Sequence, residues 1–138
     1  TEVFDPADYG IPTLGLTYIA RNVLVEGSPD TIKRFLKATM RGLEFAFNNT
    51  EEALDIVLKY AENGNREHMR FMLLTEKENA ISSATDQNGL GWTTEGQWDS
   101  FQDMLVSYGA LARPVDLHST FTDQFLKQIY TNGNLNWP

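Results

Sequence analysis

Thr13-Leu14-Gly15-Leu16-Thr17-Tyr18-Ile19-Ala20 is the stretch on which the fold turns. Apolar Leu14, Leu16, Tyr18 and Ala20 alternate with small or polar neighbours, and Thr, Tyr and Ile suit a pleated surface, so residues 13–20 are expected to form a strand. A lone strand leaves a row of backbone amides and carbonyls without partners. Everything after residue 28 nevertheless reads as helix, so this strand expects a sheet that its own chain does not supply. Upstream, Pro6, Gly10 and Pro12 keep residues 1–12 extended or turning.

Downstream, Ser28-Pro29-Asp30 marks a helix start: Ser28 is placed to cap, Pro29 loses nothing at the first position, and Asp30 meets the positive end of the dipole. This helix is expected to run to about Asn48, with Ile32, Phe35, Leu36, Thr39, Met40, Leu43 and Phe47 as its apolar stripe. A second helix follows from a Thr50 cap and stops at Gly64, and so short a link makes the two a hairpin or sharp corner. A third helix is capped by Asn65, and a polar loop, residues 82–92, leads to a fourth. There Thr94 caps while Gln97 reaches back, and Trp98, Phe101, Leu105 and Tyr108 share one face before Gly109. Thr122 to Leu126 begins one more short helix, and residues 131–138 read as a frayed tail. The residues thus describe a single domain, mainly α, with one N-terminal strand at 13–20 and four to five helices over residues 28–130.

Composition narrows the function. The 138 residues carry 11 basic and 19 acidic groups, a net charge of −8, divided as −4 over residues 1–30, balanced over 31–80 and −4 over 81–138. That charge repels phosphates and no basic cluster offsets it, so nucleic acid is not an expected partner. No apolar run approaches the roughly 20 residues of a spanning helix. The absence of cysteine excludes disulfides, thiolate catalysis and cysteine-ligated zinc.

Chemistry-bearing motifs are sparse. His68 and His118 are not spaced as a two-histidine metal pair, and the carboxylate pairs Glu51/Glu52, Glu76/Glu78 and Asp99/Asp103 fall where a helix faces water. Asn88-Gly89-Leu90-Gly91-Trp92 follows no strand and has no lysine, so a tight turn pinned by Trp92 is favoured over a phosphate loop. Asn48-Asn49-Thr50 has sequon form, but Thr50 is already assigned to a cap. No catalytic group, metal or cofactor is called for. The remaining cluster is Asp5, Asp8, Tyr9 and Pro12, an acidic, irregular lead-in to the strand. A tyrosine face beside carboxylates suits stacking and hydrogen bonding of a donor-bearing heterocycle, so Asp5, Asp8 and Tyr9 are the candidate ligand-binding residues.

The run Tyr9-Gly10-Ile11-Pro12-Thr13-Leu14-Gly15-Leu16-Thr17-Tyr18-Ile19-Ala20, followed by Ser28-Pro29-Asp30-Thr31-Ile32-Lys33-Arg34-Phe35-Leu36-Lys37-Ala38-Thr39, resembles the later half of the NMT1/THI5-like substrate-binding proteins of ABC transporters. Gly42-Leu43-Glu44-Phe45-Ala46, Glu52 to Val57, Asn88 to Trp92 and Phe121 to Leu126 extend the resemblance over essentially the whole chain. The resemblance implies an α/β, type II periplasmic-binding-protein-like fold of roughly 300 residues, in which two lobes close on a small ligand. This chain would be its C-terminal half, residues 1–12 an extended crossing segment, and the partners of strand 13–20 would lie on a missing segment or on an exchanged segment of a second copy, giving a homodimer. Also implied are a pyrimidine, flavin or sulfonate type of ligand, an ABC permease as partner, and a periplasmic or extracellular location, secreted or lipid-anchored at full length. One branch synthesises a thiamine pyrimidine with a histidine and iron; that histidine belongs to the other half, so neither His68 nor His118 inherits its role.

Three readings result. The first is a non-enzymatic transport binding protein or a fragment of one. The second is a self-associating helical module that has lost its ligand, and the third, ranked last, is a pyrimidine-synthesising enzyme. Asp5, Asp8 and Tyr9 carry the binding site in the first.

Overall fold

The computed structural model describes residue 4 and residues 6–137. The chain is mostly helical, with one small sheet. After a 3-10 turn at Pro6–Tyr9 come α1 (Asn22–Gly27), α2 (Pro29–Asn48), α3 (Thr50–Leu58), α4 (Arg66–Ala80), α5 (Ser83–Asn88), α6 (Glu95–Ser107), α7 (Leu117–Thr120) and α8 (Gln124–Ile129). The chain ends in an antiparallel hairpin, β1 (Tyr130–Thr131) with β2 (Asn134–Leu135), in which Tyr130 faces Leu135.

Residues 13–20 do not form the expected strand. They run as irregular backbone with Gly15 at φ +65°, and Leu16 and Ile19 are 89% and 93% exposed. The alternation is present, but a strand exists only as one side of a ladder, and the described residues offer no second side. The segment is tied down through Tyr18, whose ring meets Phe35 of α2 edge-on at 5.6 Å.

Helix α2 organises the rest. It buries Met40 and Phe47 and half-buries Leu36 and Leu43, as its stripe predicts, but Phe35 lies exposed toward the unpaired segment. Met40 packs with Ile129 and Tyr130 from the end of α8, and Leu36, Leu43, Leu90, Leu126 and Leu135 close around these three. Full burial of side chains such as Met40 and Ile129 contributes roughly 1.5–3 kcal/mol each. At the far end of α2, Phe47 is buried, as are Ala53 and Leu54 of the following α3, and Lys77 of α4 donates to the Phe47 carbonyl at 2.7 Å, capping the negative end of the helix. Arg66 of α4 bridges Glu51 and Asp55 of α3, and Arg70 adds a second bond to Glu51 at 2.8 Å. Those carboxylates hold the Arg66 guanidinium above its already high ordinary pKa, Asp55 most strongly.

The helix starts follow the local capping signals at some positions and not at others. Asn65 caps α4 by accepting from the His68 amide at 2.9 Å, and Thr94 and Gln97 form the reciprocal box that starts α6. Ser28 makes no side-chain cap, and α3 begins after Asn49 while the Thr50 hydroxyl bonds back to the Ala46 carbonyl. The loop at 82–92 contains α5, started by a second reciprocal box between Ser82 and Thr85. The frayed tail is a hairpin instead. Asn132 and Gly133 both adopt positive φ, 49° and 75°, the pair of left-handed residues that a two-residue turn of matching twist requires.

The glycines of Asn88–Trp92 serve packing. Gly89 sits at φ +105°, ψ 163°, with the ring of Tyr130 filling the place its side chain would take, and Met40 lies against Gly91. Tyr130 is 7% exposed and its hydroxyl is buried without a hydrogen-bond partner. Burial and the neighbouring Glu44 raise its pKa; the Leu90 backbone pulls the other way but does not reach hydrogen-bonding geometry.

Candidate functional site

Pro6 presets the backbone at the start of the 3-10 turn Pro6–Tyr9, and beyond the turn the Ile11 amide folds back to donate to the Pro6 carbonyl at 3.1 Å. Gly10, at φ +70°, then redirects the backbone, a conformation that side chains rarely adopt. The result lays residues 9–12 against the C-terminal half of α6. Between them runs an open groove of about 810 Å³, lined by Tyr9, Gly10, Ile11 and Pro12 on one side and Ser100, Asp103, Met104, Ser107 and Tyr108 on the other.

Tyr9 is 66% exposed, and one face of its ring is covered by Phe4, stacked at 4.5 Å with the planes 20° apart. The exposed ring also lines the groove. Asp8 is exposed and does not line the groove, and Asp5 lies outside the described residues. Of the three candidate residues, then, Tyr9 faces the groove. Two residues of the opposite wall stand out because the sequence points them elsewhere. Tyr108 was assigned to the apolar face of α6, but it caps the helix and is 77% exposed, because Gly109 turns the chain there with φ +73°. Asp103 was read with Asp99 as a solvated face. It is exposed, makes no ion pair among the described residues, and stands on the groove wall.

A second cavity, about 470 Å³, opens where the start of α6 meets α7 and α8. Trp92, Thr94, His118, Phe121, Asp123 and Lys127 lie on its walls. Lys127 is engaged by Asp123 at 2.9 Å, and Phe121 stacks on Trp98 at 5.1 Å. The Trp98 indole N–H donates to the Thr93 hydroxyl at 3.0 Å, which fits Trp98 as a packing residue. No cluster of three potential metal ligands occurs among the described residues, and no helix is long and apolar enough to cross a membrane.

Known proteins place this arrangement in a family context. Residues 1–53 match the family described as NMT1/THI5 like. The chain is 29% identical over 106 residues to a riboflavin-binding protein of Chloroflexus aurantiacus, covering 75% of this chain and 30% of that protein. It is 28% identical over 130 residues to a formylaminopyrimidine-binding protein of Halalkalibacterium halodurans, covering 87% of this chain and 38% of that one. No solved structure matches the chain. The chain thus spans about a third of the length of these relatives, and over that part it is similar to NMT1/THI5-like binding proteins.

Proposed function

We propose that this chain is part of the substrate-binding component of an ABC transporter, of the type II periplasmic-binding-protein architecture, and that it contributes one wall of an inter-lobe cleft for a small aromatic or heterocyclic ligand. The observation that carries this reading is the exposed ring of Tyr9 lining a groove between residues 9–12 and α6. The relatives support it: one is named for riboflavin and the other for formylaminopyrimidine, both flat nitrogen heterocycles. Asp8 and Asp5, which precede Tyr9 in the crossing segment, are proposed as further contacts made from outside this groove wall when the full cleft closes. No bond is made or broken; the cleft closes by contacts available only in the closed state, and an ABC permease receives the ligand. The location is periplasmic or extracellular, secreted or lipid-anchored. Titration of the chain with riboflavin and an aminopyrimidine tests the reading. Tyr9→Ala is expected to weaken binding by about 1–3 kcal/mol, the scale of one stacked ring. Unchanged affinity removes Tyr9 from the site.

The exposed segment 13–20 favours a second reading, in which the chain associates with its own copies through Leu16, Tyr18 and Ile19. Light scattering separates the two. A fixed dimer dissociated by Leu16→Lys supports association, and a monomer under all conditions rejects it.

A further inference from the structure

We infer that the groove between residues 9–12 and α6 discriminates by charge, admitting neutral or cationic heterocycles with hydrogen-bond donors and turning away phosphorylated or sulfonated ones. The inference rests on the proposed binding role of this groove and names the class of ligand. Three observations converge on it. First, none of the lysines, arginines or histidines lines the groove, whereas Asp103 does and carries no ion pair among the described residues. Second, the groove lies along the C-terminal half of a 13-residue helix whose last turn has no basic residue, so the negative end of the helix dipole adds to the Asp103 charge. Third, the hydroxyl protons of Ser100 and Ser107 are spent on the Gly96 and Met104 carbonyls, each at 2.8 Å. What these two side chains and Asp103 offer a ligand is therefore lone pairs, which a ligand must meet with N–H or O–H groups.

A flat ring resting on Tyr9, with Tyr108 at the far edge, would turn its donor edge toward Asp103. A phosphate or sulfonate would meet the Asp103 carboxylate, hydroxyl oxygens whose protons are already spent and no cationic side chain, with the neutral phenols of Tyr9 and Tyr108 as the side-chain donors in the lining, in a chain whose net charge is already −8. Positively charged anchors for such anions exist elsewhere in the fold, on α2 and α4, but not here.

Riboflavin and its 5′-phosphate, FMN, form the test pair, since they share the tricyclic ring and differ in one dianionic group. Quenching of flavin fluorescence by the purified chain is measured for both at low and high salt. Expected are saturable riboflavin binding and FMN binding at least about tenfold weaker at low salt, with the gap narrowing as salt screens it. Asp103→Asn is expected to narrow the gap and Asp103→Lys to close or reverse it, the helical circular-dichroism spectrum being unchanged. Equal affinity for the two flavins at low salt, or a gap indifferent to Asp103→Lys, overturns the charge selection while leaving the binding role intact. Failure of riboflavin, FMN and an aminopyrimidine all to bind overturns the binding role and this inference with it.

Discussion

Two glycine-to-alanine substitutions should move stability in opposite directions. Gly89 occupies φ +105°, ψ 163°, a region essentially reserved for glycine, and a β-carbon there would lie 2.4 Å from two ring carbons of Tyr130. Adopting that backbone costs an alanine about 1–3 kcal/mol. The ring cannot simply retreat, because Tyr130 belongs to the core with Met40 and Ile129, and overpacking such a core costs a further 1–3 kcal/mol or so. Gly89→Ala is therefore expected to lose roughly 2–5 kcal/mol, a large share of the about 5–15 kcal/mol available to an ordinary domain. Gly42, in the middle of α2, is exposed and has nothing within 4 Å of where a β-carbon would go. Gly42→Ala should gain about 0.5–1 kcal/mol by reducing the freedom of the unfolded chain. Urea titration followed by circular dichroism at helical wavelengths reads both, with the Gly89→Ala midpoint falling by roughly 1–3 M. A Gly89→Ala protein within about 0.5 kcal/mol of the parent would show that the Tyr130 ring does not rest on this glycine.

Other expectations concern the same core and its supports. Tyr130→Phe removes a buried hydroxyl that has no partner, so at neutral pH it should be neutral or up to about 1 kcal/mol stabilising. Because the folded phenol titrates above its ordinary value of 10.0, its contribution is complete below that pH and is lost as pH rises past it; the Phe variant should lack that alkaline loss in a pH series of urea midpoints. Arg66→Ala should lower the urea midpoint at low salt and much less at high salt, since its partners Glu51 and Asp55 are solvent-exposed. Deleting residues 131–138 removes Leu135 from the core and should raise binding of a hydrophobic dye, an outcome a frayed tail would not produce.

What could be read from the residues was local. Asn65, Thr94 and Gln97 act within four residues of their partners, so their caps were visible without a fold. Asn132-Gly133 is equally local, a standard signal for a two-residue hairpin that outweighs the fraying expected of a terminal segment. The strand at 13–20 failed for the opposite reason: its alternation is genuine, but pairing is a property of two segments. The groove was half legible. Tyr9 stood out as an aromatic beside carboxylates, whereas Tyr108 and Asp103 join it because the chain brings residues 9–12 onto α6. Helical periodicity cannot reveal that juxtaposition, and it placed Tyr108 inward and Asp103 in bulk water.

The core trio of Met40, Ile129 and Tyr130 also dictates an order of events during synthesis. Met40 lies about 90 residues before Ile129 and Tyr130, so α2 emerges from the ribosome long before the segment that covers it, and the closure entropy of so long a loop is met only once that segment is made. Until Tyr130 arrives, the inner stripe of α2 remains open to solvent on the nascent chain. Chaperones that hold extended apolar helices would therefore meet this protein between the synthesis of α2 and that of Tyr130, and a translational pause within that stretch would lengthen the exposure.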